Sequence, residues 1–156
     1  MTQYYKSVMI NKGILDGLKK NMTVLDRNGC LVGRILGSLT LKEAKVQLIT
    51  DNESGISVIT EDNKVLGILS GDLKGQCTLK YVLSTEEELE TGHRLLTTGF
   101  DGIYPPRILV GEVVSIKPTK GLFKKINVRP YFNFHQIDHL AVVLMKAQDF
   151  YQGSIR

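Results

Sequence analysis

Short apolar runs, separated by glycine, aspartate and asparagine, recur along the whole chain. No amphipathic stretch of about 12 residues persists at helical spacing, so helices are expected to be minor. Many short strands with frequent turn signals predict an all-β barrel or sandwich. In one of the clearest runs, Cys77, Leu79, Tyr81 and Leu83 should share one face. The predicted strands lie at residues 7–11, 22–26, 30–39, 45–51, 55–60, 64–71, 76–84, 94–99, 107–118, 123–131 and 139–146.

Two parts of the chain share a weak internal repeat. Each copy contains Leu-Val-Gly, then a charged residue, then isoleucine or valine, with a strand before and a strand after. The second copy has a longer insert between its first two strands, at residues 97–108. This pattern indicates duplication of a β unit. The first copy covers residues 20–25, 31–35 and 45–48, and the second covers residues 91–96, 109–113 and 125–128.

The length, composition and charge of the chain limit the classes of protein to which it can belong. With 156 residues, 42% hydrophobic and 23% charged, it can form one ordinary domain or two small ones with a real core. The first 50 residues carry +5 and the next 50 carry −5, within a net charge of +4. An acidic middle third is unlike a nucleic-acid binder. No apolar run approaches about 18 residues and no signal peptide is visible, so we expect the chain as given to be soluble.

The glycine-rich segment 97–113 does not fit a phosphate-binding loop. Gly99, Gly102 and Gly111 precede two prolines and a strand, whereas phosphate loops lead into a helix N-terminus. Serine hydrolysis is also disfavoured, because His93, His135 and His139 have no serine in a GxSxG or GDSG context to act on.

The cysteines and histidines predict no metal site. Cys30 and Cys77 lie in apolar strand-like surroundings without CxxC spacing. A disulfide between them stays open, since the sequence cannot show it. His135 and His139 are four residues apart, but they lie between strands and lack the HExxH glutamate. We therefore predict no metal, no cofactor and no catalysis.

Aromatic and basic residues concentrate in the last third of the chain. Such a patch fits either single-stranded nucleic acid on a barrel surface or a protein interface, and composition does not decide between them. The residues are Tyr104, Phe123, Tyr131, Phe132 and Phe134, beside Lys120, Lys124, Lys125 and Arg129.

Collinear motifs from residue 10 to residue 144 resemble the extracytoplasmic region of the bacterial rod shape-determining protein family MreC. One departure is Pro105-Pro106-Arg107, where the family usually has Pro-x-Gly, because arginine tolerates positive φ poorly. The motifs are Ile10-Asn11-Lys12-Gly13, Asp16-Gly17, Leu31-Val32-Gly33-Arg34, Leu48-Ile49-Thr50-Asp51, Gly67-Ile68-Leu69-Ser70-Gly71-Asp72, Leu79-Lys80-Tyr81-Val82, Thr97-Thr98-Gly99, Val110-Gly111, Gly121-Leu122-Phe123 and Val128-Arg129-Pro130, with a last strand at Ala141–Leu144.

The resemblance implies an all-β fold of two small β-barrels, one inserted in the other, with little helix. We expect residues 1–46 and 113–150 to form the first barrel, residues 47–112 the second, and residues 151–156 a tail. The family's membrane helix and coiled coil are absent from this sequence. The implied location is the extracytoplasmic (periplasmic) face of the inner membrane, with the membrane anchor outside this chain.

The resemblance also implies a function without catalysis. The chain would be a scaffold of the cell-elongation complex that controls cell shape by binding and organising peptidoglycan-synthesis proteins. Its implied partners are the elongation-specific penicillin-binding transpeptidase, other membrane proteins of the rod complex and further copies of itself, with no nucleic acid and no small-molecule substrate. The alternatives are a nucleic-acid-binding β-barrel protein and a degenerate protease-like double barrel.

Partner binding requires exposed aromatic anchors. We expect these to be Phe100, Ile103 and Tyr104 in the glycine-rich loop first, with Tyr131, Phe132 and Phe134 second.

Overall fold

The computed structural model describes residues 5–136 and 139–144. This part of the chain contains short strands and two 3-10 turns, at Ile14–Asp16 and Phe134–Gln136. No helix in the described part is long and apolar enough to cross a membrane. The strands are β1 (Ser7–Ile10), β2 (Thr23–Asp26), β3 (Leu31–Ile35), β4 (Ala44–Leu48), β5 (Ile56–Thr60), β6 (Leu66–Gly71), β7 (Cys77–Lys80), β8 (Arg94–Thr97), β9 (Leu109–Lys117), β10 (Lys125–Pro130) and β11 (Leu140–Val142).

Six strands form a closed antiparallel barrel in the order β10-β7-β6-β5-β8-β9. The alternation in the sequence points every second side chain inward: in β5, Ile56, Val58 and Thr60 are buried, whereas Ser57 and Ile59 are half-buried. Because every barrel strand is paired at both edges, the barrel has no free edge.

The other five strands form an antiparallel sheet in the order β1-β4-β3-β2-β11, curled as a half-barrel. The chain leaves this sheet after β4, builds the whole barrel and returns to the sheet at β11. The predicted all-β architecture, with one unit inserted in the other and little helix, is therefore confirmed.

The predicted unit boundaries need correction. Residues 113–150 were assigned to the first unit, but β9 and β10 both belong to the closed barrel. A cut at residue 113 would divide β9, which pairs with β8 on one side and β10 on the other. The barrel instead spans residues 56–130, and the sheet comprises residues 7–48 with 140–142. Residues 145–150 and the predicted tail, 151–156, lie outside the described residues.

The internal repeat corresponds to one meander in each unit, β2-β3-β4 in the sheet and β8-β9-β10 in the barrel. The pairing registers match. Thr23 pairs with Arg34 as Arg94 pairs with Glu112. Both copies also have a register shift at the same place in the first strand, between Val24 and Leu25 in the sheet and between Leu95 and Leu96 in the barrel. The duplication inferred from sequence is thus visible in the hydrogen-bond ladder.

The third strand of the repeat aligns two residues away from the sequence prediction. The sequence pattern matches Lys45–Leu48 to Lys125–Val128. In the structure, Ile35 pairs with Val46, and its counterpart Val113 pairs with Val128. The correct counterpart of residues 45–48 is therefore residues 127–130. A shift of two residues keeps every side chain on the same face, so the apolar pattern cannot detect it.

One apolar core joins the two units. Leu31 and Val46 of the sheet belong to the same buried cluster as Leu79 and Ile126 of the barrel. Polar links add to it: the Gln47 amide donates to the Asp51 carboxylate at 2.9 Å, in the segment that leads from sheet to barrel. The chain therefore packs as two units on a shared core.

Candidate partner-binding surface

The residues considered for catalysis are not assembled into a reactive site. Within residues 5–136 and 139–144, no hydrogen bond joins a histidine side chain to a serine or cysteine. The ring of His93 instead lies 3.7 Å from the Asp62 carboxylate and accepts the N–H of Glu90 at 3.1 Å. His135 lies on a 3-10 turn rather than an α-helix, so its four-residue spacing from His139 has no helical face to share. No cluster of three metal-ligating side chains occurs in the described part.

The two cysteines are buried free thiols. Cys77 lies in β7, where burial raises the pKa of its thiol and its Sγ donates weakly to the Ile49 carbonyl at 3.5 Å. Burial also raises the pKa of Cys30, and the nearby Asp26 carboxylate adds to this effect. Protonated, buried thiols are poor nucleophiles, so neither residue has the environment of a catalytic cysteine.

The glycine-rich loop between β8 and β9 is held by hydrogen bonds of its own. The Thr97 hydroxyl donates to the Pro105 carbonyl at 2.6 Å and accepts the Ile108 N–H at 2.9 Å. The Asp101 carboxylate accepts the N–H of Ser57 at 3.1 Å, which ties the loop to β5. The polar groups of the loop therefore stabilise its own turn rather than a bound phosphate.

The three predicted anchors in this loop have different environments. Phe100 is 75% exposed, while Ile103 is half-buried against the core. Tyr104 is only 2% exposed, and burial raises the pKa of its phenol. The charged groups that act on it are Arg34 of β3 and Asp101 of its own loop, so it lies where the barrel loop meets the sheet. Tyr104 is thus a core residue, and Phe100 is the most exposed of the three.

The second predicted set is also mostly enclosed. Phe132 is 5% exposed and belongs to the core, so it cannot act as an anchor. Phe134 is half-buried, with its ring centroid 5.1 Å from that of Tyr5. Tyr131 is half-buried directly after β10. All three side chains nevertheless line one groove beyond the end of β10.

A group of exposed apolar side chains lies at the opposite end of the barrel from Phe100. We call it the Tyr81 patch. The rings of Tyr81 and Phe123 pack edge to face, with their centroids 5.6 Å apart. Its four side chains are exposed: Tyr81 by 61%, Leu83 by 47%, Leu122 by 66% and Phe123 by 38%.

A single left-handed residue explains why the alternation pattern missed this patch. Strand β7 ends at Lys80, and Tyr81 follows with φ of 69°. That left-handed residue shifts the alternation by one, so Val82 is buried and Tyr81 and Leu83 point outward. The predicted common face of Cys77, Leu79, Tyr81 and Leu83 is wrong beyond Leu79. A non-glycine residue with positive φ is uncommon, so no sequence signal marked it.

Hydrogen bonds fix the Tyr81 patch to the barrel. The Lys124 N–H donates to the Val82 carbonyl at 2.9 Å, and the Ser84 N–H donates to the Leu122 carbonyl at 2.7 Å. A groove of about 270 Å³ beside the patch is lined by residues that include Lys80, Lys124 and Lys125. The patch is thus a fixed apolar surface with a basic border.

The basic residues considered for nucleic-acid binding are partly engaged within the chain. Arg129 forms an ion pair with Glu112 on the neighbouring strand, and the Lys124 ammonium donates to the Glu86 carbonyl. Such contacts reduce the number of cations free to neutralise phosphates.

Arg107 adopts the left-handed conformation that the sequence put in doubt, with φ of 67°. Its N–H donates to the Thr97 carbonyl at 2.8 Å, and its guanidinium donates to the Asn63 side chain at 2.9 Å. The loop thus keeps the left-handed position even though arginine occupies it.

We expect Arg107→Gly to be more stable than Arg107→Ala by about 1 kcal/mol, because only glycine lacks the Cβ that makes this conformation costly. Both variants lose the contact with Asn63, so their comparison isolates the backbone effect. Thermal unfolding of the two variants measures the difference. Equal stabilities would show that the left-handed conformation at residue 107 carries no cost.

The family model described as "Rod shape-determining protein MreC, barrel core" matches residues 1–144. A curated relative, the cell shape-determining protein MreC of Bacillus subtilis, is 29% identical over 148 residues, which cover 88% of this chain and 51% of the relative. The chain thus spans about half the length of that relative.

Solved structures show the same fold. The crystal structure of MreC from Pseudomonas aeruginosa matches with a TM-score of 0.83 at 24% identity, covering 90% of each chain. MreC in a complex with the penicillin-binding protein PBP2 from Helicobacter pylori matches with a TM-score of 0.70 at 22% identity, covering 88% of this chain and 86% of that one.

Proposed function

Because this chain belongs to the MreC family of rod shape-determining proteins, we propose that it is a non-catalytic scaffold that binds a peptidoglycan-synthesis protein. The observation that carries the proposal is the family match over residues 1–144, together with a relative of the same fold that was solved in complex with a penicillin-binding protein. The chain covers about half of its curated relatives, so the activity of the whole protein is part of the proposal.

The rest of the functional assignment belongs to the same proposal. The chain would act at the extracytoplasmic face of the inner membrane, with the elongation-specific transpeptidase as its main partner. Other membrane proteins of the rod complex and further copies of the chain would be additional partners. Docking on a non-catalytic part of the transpeptidase would favour the active arrangement of that enzyme, which is a shift between existing states.

We place the main contact with the transpeptidase on the Tyr81 patch. Binding energy at protein interfaces concentrates in a few aromatic anchors at the centre of a desolvated area. Tyr81, Leu122 and Phe123 offer such a group of exposed side chains. Lys80 and Lys125 at its border favour a partner surface with acidic residues around an apolar centre. Of the residues predicted from sequence, Phe100 remains a separate candidate at the other end of the barrel.

Tyr81→Gly tests this placement. The variant removes the ring, while glycine readily adopts the left-handed backbone at this position, so the fold should be retained. We expect at least about a tenfold loss of affinity for the purified extracytoplasmic region of the elongation transpeptidase, measured by surface plasmon resonance.

Phe100→Ala is the matched control, because Phe100 is the most exposed aromatic residue on the opposite end of the barrel. We expect it to bind like the unchanged chain. Loss of affinity in Phe100→Ala alone would move the contact to the glycine-rich loop. If the unchanged chain does not bind the transpeptidase at all, the scaffold proposal loses its mechanism.

A further inference from the structure

The five-stranded sheet reproduces five of the six positions of the closed barrel. The barrel order around the repeat is β7-β10-β9-β8-β5, and the sheet order is β1-β4-β3-β2-β11. The sixth barrel strand, β6, lies between β5 and β7 and closes the circle. Its counterpart would lie between β11 and β1, where no strand of the described chain is found.

The pairing registers extend this correspondence to both outer strands. On one side, Val8 pairs with Val46 in the sheet, and Cys77 pairs with Val128 in the barrel. Because Val46 and Val128 are counterparts, β1 is the counterpart of β7. On the other side, Ala141 pairs with Leu25 in the sheet, and Ile59 pairs with Leu96 in the barrel. Because Leu25 and Leu96 are counterparts, β11 is the counterpart of β5. The two strands that hold β6 in the barrel therefore both exist in the sheet.

The free backbone groups of β1 point toward the missing position. The Leu48 N–H donates to the Lys6 carbonyl at 2.9 Å. With the observed register, the backbone groups of Val8 and Ile10 then face β4, and those of Ser7 and Met9 face away from it. Thr78, the barrel counterpart of Met9, uses the same groups to bond β6.

The same holds for β11. The Val143 N–H donates to the Thr23 carbonyl at 2.9 Å, so Ala141 faces β2 and the backbone groups of Leu140 and Val142 face away. Val58, the counterpart of Leu140, pairs with Gly67 of β6.

The space between these two edges is an open and mainly apolar cavity, with Lys12 and His139 also in its lining. A cavity of about 620 Å³ lies there, bordered by both β1 and β11. Val8, Ile10, Leu140 and Val142 line it, and all four pack against the core of the chain. An unpaired edge beside an apolar cavity is a template for strand addition.

The occupant must have both of its own edges free, because it pairs with β1 on one side and β11 on the other. Each described strand of a second copy already uses at least one edge in its own sheet. A second copy therefore cannot fill the position with any of these strands.

We propose that this position is a docking site for an extended segment of a partner polypeptide, which completes the half-barrel as a sixth strand. The segment runs antiparallel to both β1 and β11, as β6 runs antiparallel to β5 and β7. It carries apolar or small side chains at every second residue, which point toward Val8 and Leu140. Main-chain hydrogen bonds supply affinity and the alternate side chains supply specificity. The site is separate from the Tyr81 patch and does not depend on it.

A synthetic peptide of residues 64–72 is a suitable probe, because it contains β6, the strand that fills this position in the barrel. We expect the labelled peptide to bind the chain saturably in a fluorescence anisotropy titration. Two single N-methylations of the peptide test its placement. N-methylation at Ser70 removes the bond expected to Met9, and N-methylation at Gly67 removes the bond expected to Leu140.

Each N-methylated peptide should bind at least about tenfold more weakly, since each loses a main-chain bond and gains a clash at one edge. Loss at only one position would indicate addition to a single edge and would overturn the proposal. Absence of saturable binding would also overturn it, including the case in which another segment of the chain already occupies the site.

Met9→Pro tests the same bond from the protein side. Proline at Met9 removes an N–H that faces the cavity and spares the ladder to β4, which edge strands tolerate. Met9→Ala is the control, and circular dichroism checks that both variants fold. We expect only Met9→Pro to lose binding of the unmodified peptide by at least about tenfold. Equal binding by the two folded variants would contradict the proposed site.

Discussion

Replacing Gly33 with alanine should destabilise the chain by more than about 3 kcal/mol, the upper end of overpacking effects. A Cβ at this position would lie 1.8 Å from the carbonyl oxygen of Gln47 on the neighbouring strand. That oxygen belongs to the backbone of β4, so it cannot move aside as a flexible side chain could. Relief would require β3 and β4 to separate along a ladder that crosses the middle of the sheet.

Gly55→Ala is the control for Gly33→Ala. An added Cβ at Gly55 would meet only a methyl group of Ile68, at 3.9 Å, which is ordinary contact. Chemical denaturation should therefore separate the two variants by several kcal/mol, with Gly55→Ala close to the unchanged chain. A stability of Gly33→Ala equal to that of Gly55→Ala would mean that β3 and β4 are not as close as the structure has them.

The internal repeat places a second glycine, Gly111, in the same structural position as Gly33. Gly111 is the counterpart of Gly33 in the barrel, and its added Cβ would lie 2.4 Å from the carbonyl oxygen of Arg129. The glycine of the Leu-Val-Gly motif therefore serves close strand approach in both units. Strand interiors otherwise disfavour glycine, which makes this close approach the physical reason for the repeated motif.

Sequence alternation could predict the strands, because period-two patterns reflect burial directly, whereas the nested arrangement of the two units was implied only by the family resemblance. It could not locate the boundary between the units. Strands β4 and β10 have similar apolar patterns, and the pattern of residues 94–130 is compatible with a meander in either unit. Only the pairing of β9 with β8 and β10 decides the assignment.

The partner surface was less predictable than the fold, and Tyr104 and Tyr81 show why. Both are tyrosines near loops, but Tyr104 was expected to be an exposed anchor and Tyr81 to share a face with Cys77 and Leu79, and neither expectation holds. Tyr104 is enclosed where the loop meets the sheet, whereas Tyr81 points outward because its own backbone is left-handed. Neither tertiary contact nor rare backbone conformation leaves a periodic signal in the sequence.

The shared core leads to the last prediction, which concerns cooperativity. Leu31 lies in the sheet and Leu79 in the barrel, and both are buried in one cluster. We expect Leu31→Ala and Leu79→Ala each to lower the free energy of unfolding by about 2–5 kcal/mol, through lost burial and an unfilled cavity. Each should move a single transition downward, by about 2–4 °C for each kcal/mol.

Leu122→Ala is the control, because Leu122 is 66% exposed and its truncation leaves no cavity. Far-UV circular dichroism and tyrosine fluorescence should report the same midpoint for every variant, since a core that spans both units couples their unfolding. Tyr104 makes fluorescence sensitive to the junction between them. If Leu31→Ala instead produces an early transition that spares the barrel, the sheet unfolds alone, and the closed barrel is stable without it.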